Sequence, residues 1–554
     1  MAWHENLAWH RLLLFMVVVF GLLTAVSTVF KHYKPLNLES QDSLLKEPEW
    51  CAIPEPLIAA DDGMAISESF VNETFLAQQV ERLSAAVKVA TISYNDNGDP
   101  DADARWSSFK ELHDVLRSKF PKVHEKTELE KVNTFGLLYT LKGSSPDLQP
   151  IIFMAHQDVV PVTDPSTWTH PPFDGHYDGR WLWGRGSVDC KNNLVGLLSA
   201  LEELLQQGFL NKRTIMLSFG YDEETGGQRG AKSLAAHIEK IYGSQSVAMI
   251  LDEGGMGIEQ INDIAYARPG VAEKGFVDLV LQLQMTGGHS SAPPPHTAIG
   301  VMSLFIQELE ENPMPPNLDL NNPFRNYLEC QAQYSPGSVE SWLPKELRSG
   351  KDLAERLIDS RGDTVRWAFQ TSQSVDVISG GVADNVVPES VEVVVNYRVL
   401  PTDNTDNMFR TIADFLAPIA HDFKVGVNGF GYTDIDTGNG VLNITTKDEL
   451  PPSPITPTGS DIPYWRVFAG TIRSVFEKRD PTVTMVVPVG DIMTGNTDTV
   501  HYWNLSRNIY RFSPRWSGTT KGVHTVDERI DMRAHVEAVR LYYDLMRNLQ
   551  LVED

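Results

Sequence analysis

Ile151-Ile-Phe-Met-Ala-His156-Gln-Asp158-Val-Val160 decides the architecture. The run Ile151 to Ala155 is wholly apolar, the composition of a strand buried on both faces. Side chains alternate along a strand, so His156 and Asp158 leave its end on one side. An imidazole therefore emerges beside a carboxylate able to orient it, the arrangement that metal-bound histidines usually have. Two blocks follow, Gly184-Arg-Gly-Ser-Val-Asp189-Cys-Lys-Asn and Asp222-Glu223-Glu224-Thr-Gly-Gly. Ordered ligands with a spare carboxylate read as a two-metal hydrolytic centre.

Around that strand the pattern alternates. Ser67 to Val89 and Asn193 to Gln207 have helical spacing, whereas Ile151 to Val160, Arg213 to Tyr221 and Val247 to Leu251 read as strands. The expectation is an α/β fold with a largely parallel sheet and helices on both faces, its ligand site at the carboxyl ends of the strands. Lys274 to Met285 and Val391 to Arg398 alternate in the manner of antiparallel strands of a separate α+β unit, with helices at Pro295 to Glu311 and about Asn407 to Ala417. The proline- and charge-rich segment Asn312 to Asp363 reads as an insertion within that unit.

With 554 residues, 42% hydrophobic and 22% charged, the chain has room for a large core and more than one domain. A formal charge of -26 offers no basic face for nucleic acid. Cys51, Cys190 and Cys330 match no zinc-finger spacing; a Cys51–Cys330 bridge is one open pairing without further support in the sequence.

Leu12 to Phe30 is uncharged and almost wholly apolar, close to the ~20 residues needed to cross a bilayer, and is flanked by Arg11, Lys31 and Lys34. Ala25-Val-Ser27 offers a small-residue cleavage site, so a secretory signal peptide competes with the reading taken here, an uncleaved signal-anchor transmembrane helix. Three sequons, Asn72-Glu-Thr, Asn443-Ile-Thr and Asn504-Leu-Ser, fit a glycosylated lumenal or extracellular body. Residues 1–34 are the tail and anchor (12–30), and 35–74 a polar, proline-punctuated stalk. A catalytic domain follows in two parts, 75–270 and 434–554, separated by an inserted lid at 271–433.

The ligands are argued one by one. Two ions about 3.5–4 Å apart need a bridging carboxylate, and Asp189 is the candidate; a helix N-cap is the bland alternative. Glu223 and Glu224 close a strand, so one can bind metal while the other moves protons, unless the pair is merely a solvated acidic turn. Asp252 in Leu251-Asp-Glu-Gly-Gly repeats the pattern, with Glu253 as rival. His524 in Gly522-Val-His-Thr supplies the second imidazole the constellation lacks.

The series His156-x-Asp158, Gly184-Arg-Gly-x-x-Asp189-x-Lys191, Asp222-Glu-Glu224-x-Gly-Gly, Leu251-Asp-Glu-Gly and Gly522-x-His524 resembles the co-catalytic zinc exopeptidases that include aminoacylase and carboxypeptidase G. The agreement runs over about residues 75 to 554. Among subgroups it is most similar to the fungal vacuolar carboxypeptidase S, or Gly-X carboxypeptidase, group. The resemblance implies two Zn2+ per chain, one held by His156, Asp252 and the bridge Asp189, the other by Glu224, His524 and the same Asp189. It implies Asp158 as the orienter of His156, Glu223 as general base, and a lid used for homodimerisation. Gly287-Gly-His289 resembles the segment whose histidine stabilises an oxyanion. Asn385 and Arg398 resemble substrate-binding positions, though a strand-end salt bridge is an equal reading of Arg398. The family pattern gives Cys190 no role.

The activity expected is release of C-terminal amino acids from short peptides at a vacuolar or secreted site. Hydrolysis or reverse condensation of N-acyl amino acids is the alternative within enzymes, and a catalytically silent membrane-tethered binding protein is the alternative outside them.

Overall fold

A computed structural model describes residues 50–434, 438–477 and 480–553. The expected anchor at 12–30 lies outside the described residues, and among these no helix is long and apolar enough to cross a membrane.

An eight-stranded sheet forms the body. Its centre is four parallel strands, β1 (Ile151–His156), β2 (Ile215–Gly220), β3 (Met249–Asp252) and β4 (Ile509–Arg511), in spatial order β2-β1-β3-β4. Antiparallel strands flank this block: Gly136–Leu141 pairs with β2 and Gly270–Glu273 with β4. The sheet is thus mixed, and the largely parallel expectation holds only for its centre. Local sequence shows that these flanking runs are strands but carries no direction.

Alternation along β1 builds two cores. Ile151, Phe153 and Ala155 face helices α1 (Lys191–Gln206) and α2 (Met532–Asn548), whereas Ile152 and Met154 face the helix Ala231–Tyr242. In α1, Leu194, Leu197, Leu198, Leu201 and Leu204 are all buried; each contributes about 1.5–3 kcal/mol by leaving water. The register sets Ile151 against Ile215 and His156 against Gly220. The residues following β1 and β2 consequently emerge side by side.

The second unit is a six-stranded sheet in the order Ser372–Gly380, Ser390–Val399, Gly275–Met285, Gly440–Leu450, Val425–Gly429, Tyr432–Asp434. Helices Ala298–Glu311 and Thr405–Asp422 cover one face, and this sheet continues past residue 433 to Leu450. The segment expected as an insertion within the lid instead folds as helices, Pro323–Tyr334 among them. Its Phe324, Leu328 and Leu357 pack with Tyr266 and Val487 of the catalytic body. Cys51 and Cys330 form a disulfide that joins this segment to the start of the described chain. Cys190 is free and buried.

Beneath the site, His113 on the helix Ser108–Lys119 supports Gln157. Its Nε2 lies 2.8 Å from Gln157 Oε1, and Nδ1 accepts from Lys131 Nζ at 3.0 Å. Burial, with Lys131 beside it, pushes the imidazole down to about 4, so folded His113 is neutral. Between pH 7 and 5 the unfolded chain takes up a proton there, at a pKa of about 6.5, and the folded chain does not. Stability is therefore lost as pH falls, by about 2 kcal/mol at pH 5 from this group. In urea titrations the advantage of the parental chain over His113→Gln should shrink by that amount between pH 7 and 5. An advantage that does not change with pH would mean His113 is not held neutral.

Candidate metal centre

At the end of β1, His156 Nδ1 lies 3.2 Å from Asp158 Oδ1 and 3.0 Å from the Asp158 carbonyl oxygen. Its Nε2 points outward, 3.1 Å from Asp189 Oδ1. Asp158 does more than orient the ring. Its two oxygens accept the N–H groups of Glu223 and Glu224, each at 3.1 Å, and Ser93 Oγ donates to Oδ2 at 2.6 Å. One buried carboxylate thereby fixes a histidine and the acidic turn on the neighbouring strand. Sequence reading did not single out Ser93.

Glu223–Thr225 is a single 3-10 turn whose shape comes from Asp222, which accepts from Arg229 and Gly230 N–H, both at 2.7 Å. Gly227 stands at φ +65°, and a Cβ there would collide with the Asp498 carboxylate. Glycine is required on both counts.

His524, in the loop between the strands Thr520–Lys521 and Arg529–Asp531, lies with Nε2 3.2 Å from Asp189 Oδ2 and 3.1 Å from Glu224 Oε2. Asp189 thus offers one oxygen to each histidine. Its alternative reading as a helix cap is not realised: the N-cap of α1 is Cys190, and it makes no side-chain capping bond. The buried Cys190 Sγ accepts from His156 N at 3.3 Å, and burial pushes this thiol up, so it stays protonated.

The rivals Asp252 and Glu253 stand differently at the strand end. Asp252 is the last residue of β3; its Oδ1 accepts the Glu253 N–H at 2.8 Å, and its Oδ2 is buried without a partner. Glu253, one residue beyond the strand, is free of the alternation and turns over the strand end, 3.7 Å from His156 Nε2. Of the two rivals, Glu253 is the one brought beside His156.

Negative charge is concentrated here. Burial, reinforced by Asp498, Glu253 and Glu224 and opposed by His156, holds Glu223 well above the carboxylate range. Burial and the Asp189 charge push Glu253 up to about 8. Burial disfavours ionised Asp189 as well, but hydrogen bonds from His156 and His524 hold it low. Donor atoms of His156, Asp189 and Glu224, and of His156, Cys190 and Glu253, lie within 4.8 Å of one another. Glu224 Oε1 is buried with no hydrogen-bond partner. Two imidazoles, surplus carboxylates and an orphaned ligand oxygen fit a pair of divalent cations, which would neutralise this charge.

Other expected residues lie elsewhere. His289 and Asn385 stand on an exposed two-stranded ribbon of the lid, Gly288–His289 with Val386–Val387, where Ser290 N donates to Asn385 O at 3.1 Å. Arg398 lies in a lid strand, its guanidinium over Phe276. Among the described residues, no hydrogen bond or ion pair joins these three to the metal-centre side chains. Asp498, in contrast, is buried against Gly220 and Gly227, and Thr497 donates to Glu273 Oε1 at 2.8 Å. Of the sequon residues, Asn72 and Asn504 are exposed and Asn443 is half-buried on a lid strand.

The chain is similar to known proteins along most of its length. Peptidase family M20/M25/M40 matches residues 152–548. Carboxypeptidase S of Saccharomyces cerevisiae is 39% identical over 492 residues, 86% of this chain and 84% of that protein. The N-fatty-acyl-amino acid synthase/hydrolase PM20D1 of Homo sapiens is 30% identical over 494 residues, 87% of this chain and 90% of that protein. Among solved structures, the M20 family metallo-carboxypeptidase Sso-CP2 from Sulfolobus solfataricus superposes with a TM-score of 0.57 at 16% identity, covering 86% of this chain and 99% of that one.

Proposed function

Because the chain belongs to peptidase family M20/M25/M40, we propose that it is a zinc-dependent carboxypeptidase releasing C-terminal amino acids from short peptides, with glycine favoured in the penultimate position. The observation that carries this reading is a single carboxylate, Asp189, with one oxygen 3.1 Å from His156 and the other 3.2 Å from His524.

His156, Asp189 and a carboxylate of the Asp252–Glu253 strand end would hold one cation, and Glu224, His524 and Asp189 the other. What the pair supplies when bound is a water of lowered pKa and polarisation of the scissile carbonyl. Glu223 stands over this place, Oε2 3.8 Å from His156 Nε2. Its raised affinity for protons suits a group that takes one from the attacking water and hands it to the departing amine nitrogen. Asp158 keeps that carboxyl in place through the Glu223 backbone. His289, from the lid, would donate to the developing oxyanion, and Arg398 and Asn385 would grip the substrate's terminal carboxylate and amide. A homodimer through the lid belongs to the same proposal.

A second reading, hydrolysis or condensation of N-acyl amino acids, is favoured by the 30% identity to PM20D1. The full-length chain incubated with a blocked Gly-Leu dipeptide and with an N-oleoyl amino acid, each with and without chelator, separates the two. The dipeptide should turn over with at least about tenfold higher kcat/KM, and chelation should abolish it; the opposite preference would make the acyl amino acid the substrate.

Residues 12–30 are read as a signal anchor that tethers a glycosylated lumenal body, with a vacuole as its compartment. The Cys51–Cys330 disulfide supports an oxidising route to that compartment. With residues 1–34 replaced by a cleavable secretory signal, the chain should be soluble and active once folded in the secretory pathway; a folded truncation that still sediments with membranes would remove the anchor from this reading.

A further inference from the structure

Glu528, a residue with no solvent exposure, makes a buried polar junction beside the ligands. Its Oε1 accepts three backbone N–H groups, from Gly186 at 3.0 Å, Val188 at 2.8 Å and Asp189 at 3.1 Å. Its Oε2 receives Arg185 Nη1 at 2.6 Å, and its own carbonyl accepts from Gly184 N at 2.8 Å. Arg185, itself buried, donates a second bond to the Thr525 carbonyl at 3.2 Å. Thr525 is the neighbour of His524.

Two segments 339 residues apart in sequence are thereby locked together. One is the turn that presents Asp189; the other is the loop that presents His524. That loop would not hold its shape unaided. His524 and Asp527 both have left-handed backbones, φ 57° and 60°, conformations that cost energy in residues with a Cβ and persist only where surrounding contacts impose them. Those contacts include Arg185 to Thr525, Glu528 to the Asp189 turn, and the Asp527 carboxylate, which accepts from Thr169 N at 2.7 Å and Thr169 Oγ1 at 2.8 Å.

We propose that the Glu528–Arg185 pair is a positioning device that sets the distance between Asp189 and His524, and hence the pocket for the ion shared by Asp189, Glu224 and His524. This rests on the metallopeptidase reading. Among the described residues, neither side chain bonds a side chain of the proposed ligands. Both ions share Asp189, but the effect is larger at this one because His524 also depends on the 522–528 loop, whereas His156 and the Asp252–Glu253 strand end are carried by β1 and β3.

Glu528→Gln keeps the shape and an acceptor for the three N–H groups but presents a neutral amide to Arg185. Arg185→Lys keeps the charge but replaces the two-pronged guanidinium with a point donor, releasing Thr525. The test titrates Zn2+, and Co2+ for its absorption spectrum, into metal-stripped full-length chain, and records thermal unfolding and zinc-dependent activity of the same samples. Glu528→Gln should take up the first equivalent as the parent does and the second at least tenfold more weakly, with kcat recovering at high zinc and KM unchanged. Arg185→Lys should weaken the second equivalent several-fold, which keeps the proposal open to test if Glu528→Gln does not fold. Both equivalents bound within twofold of the parent, with only the unfolding temperature lowered, would reduce the pair to a folding contact. Equal weakening of both equivalents would overturn the selective role. A parental chain that binds no metal would sink the metallopeptidase reading itself, and the proposal with it.

Discussion

Glu223→Gln is expected to yield a folded chain that binds two metals and substrate like the parent and turns over about 10²–10⁴-fold more slowly, the range that general base catalysis contributes. The carboxyl at 223 sits 3.8 Å from His156 Nε2 and is held in place through its own backbone N–H on Asp158; an amide of the same size keeps that bond. What is lost is a group able to accept a proton. The adjacent residue should behave differently. Glu224 Oε2 lies 3.1 Å from His524, and its Oε1 is buried without a partner. Glu224→Gln should therefore weaken one metal, with activity partly restored by added zinc because the base is intact. Equilibrium dialysis with kinetics at rising zinc separates the two variants. Zinc rescue of Glu223→Gln, with Glu224→Gln metal-replete and dead, would exchange the two roles.

The reading of strand ends in the sequence located most of this centre, for a physical reason. A short apolar run between polar residues identifies a buried strand, and in a parallel block the residues just past such runs share one edge. His156, Glu223 and Glu224 follow from that alone. Asp189 and His524 lie in turns, and the needs of a metal pair, a bridging carboxylate and a second imidazole, rather than periodicity point to them. At the boundary of β3 the sequence leaves two rivals: Asp252 is the last residue of the strand and Glu253 lies one beyond it, 3.7 Å from His156 Nε2, and nothing local in Leu-Asp-Glu-Gly-Gly says where the strand stops.

Long-range pairing was equally invisible. Glu528 is one acidic residue in a polar loop until Arg185 and the Asp189 turn are seen around it. The helices near Pro323–Tyr334 looked like lid because they interrupt lid sequence, but their buried face answers Tyr266 and Val487 across the body. Sheet direction at the flanks is a property of connections, and single-strand composition carries none of it.

Asp189→Ala should remove metal and activity together, by more than the about 10–100-fold that loss of a ligand's supporting partner costs. Among the described residues, Asp189 is the one side chain with carboxylate oxygens against both imidazoles, 3.1 Å from His156 and 3.2 Å from His524. Taking it away leaves two cations with no shared anion between them, repelling one another at a separation where low local dielectric makes repulsion strong. A helix cap at this position would give another result, a loss of about 1 kcal/mol of stability with both metals retained. Because Cys190 occupies the cap of α1, that outcome is not expected. Asp189→Asn sharpens the comparison: it preserves the shape and the backbone bond to Glu528 but halves the ligand oxygens and drops the charge, so it should retain at most one tightly held ion. Metal analysis after gel filtration, read beside the unfolding temperature, decides it. Two zinc ions per chain in Asp189→Ala would show that the carboxylate bridges nothing.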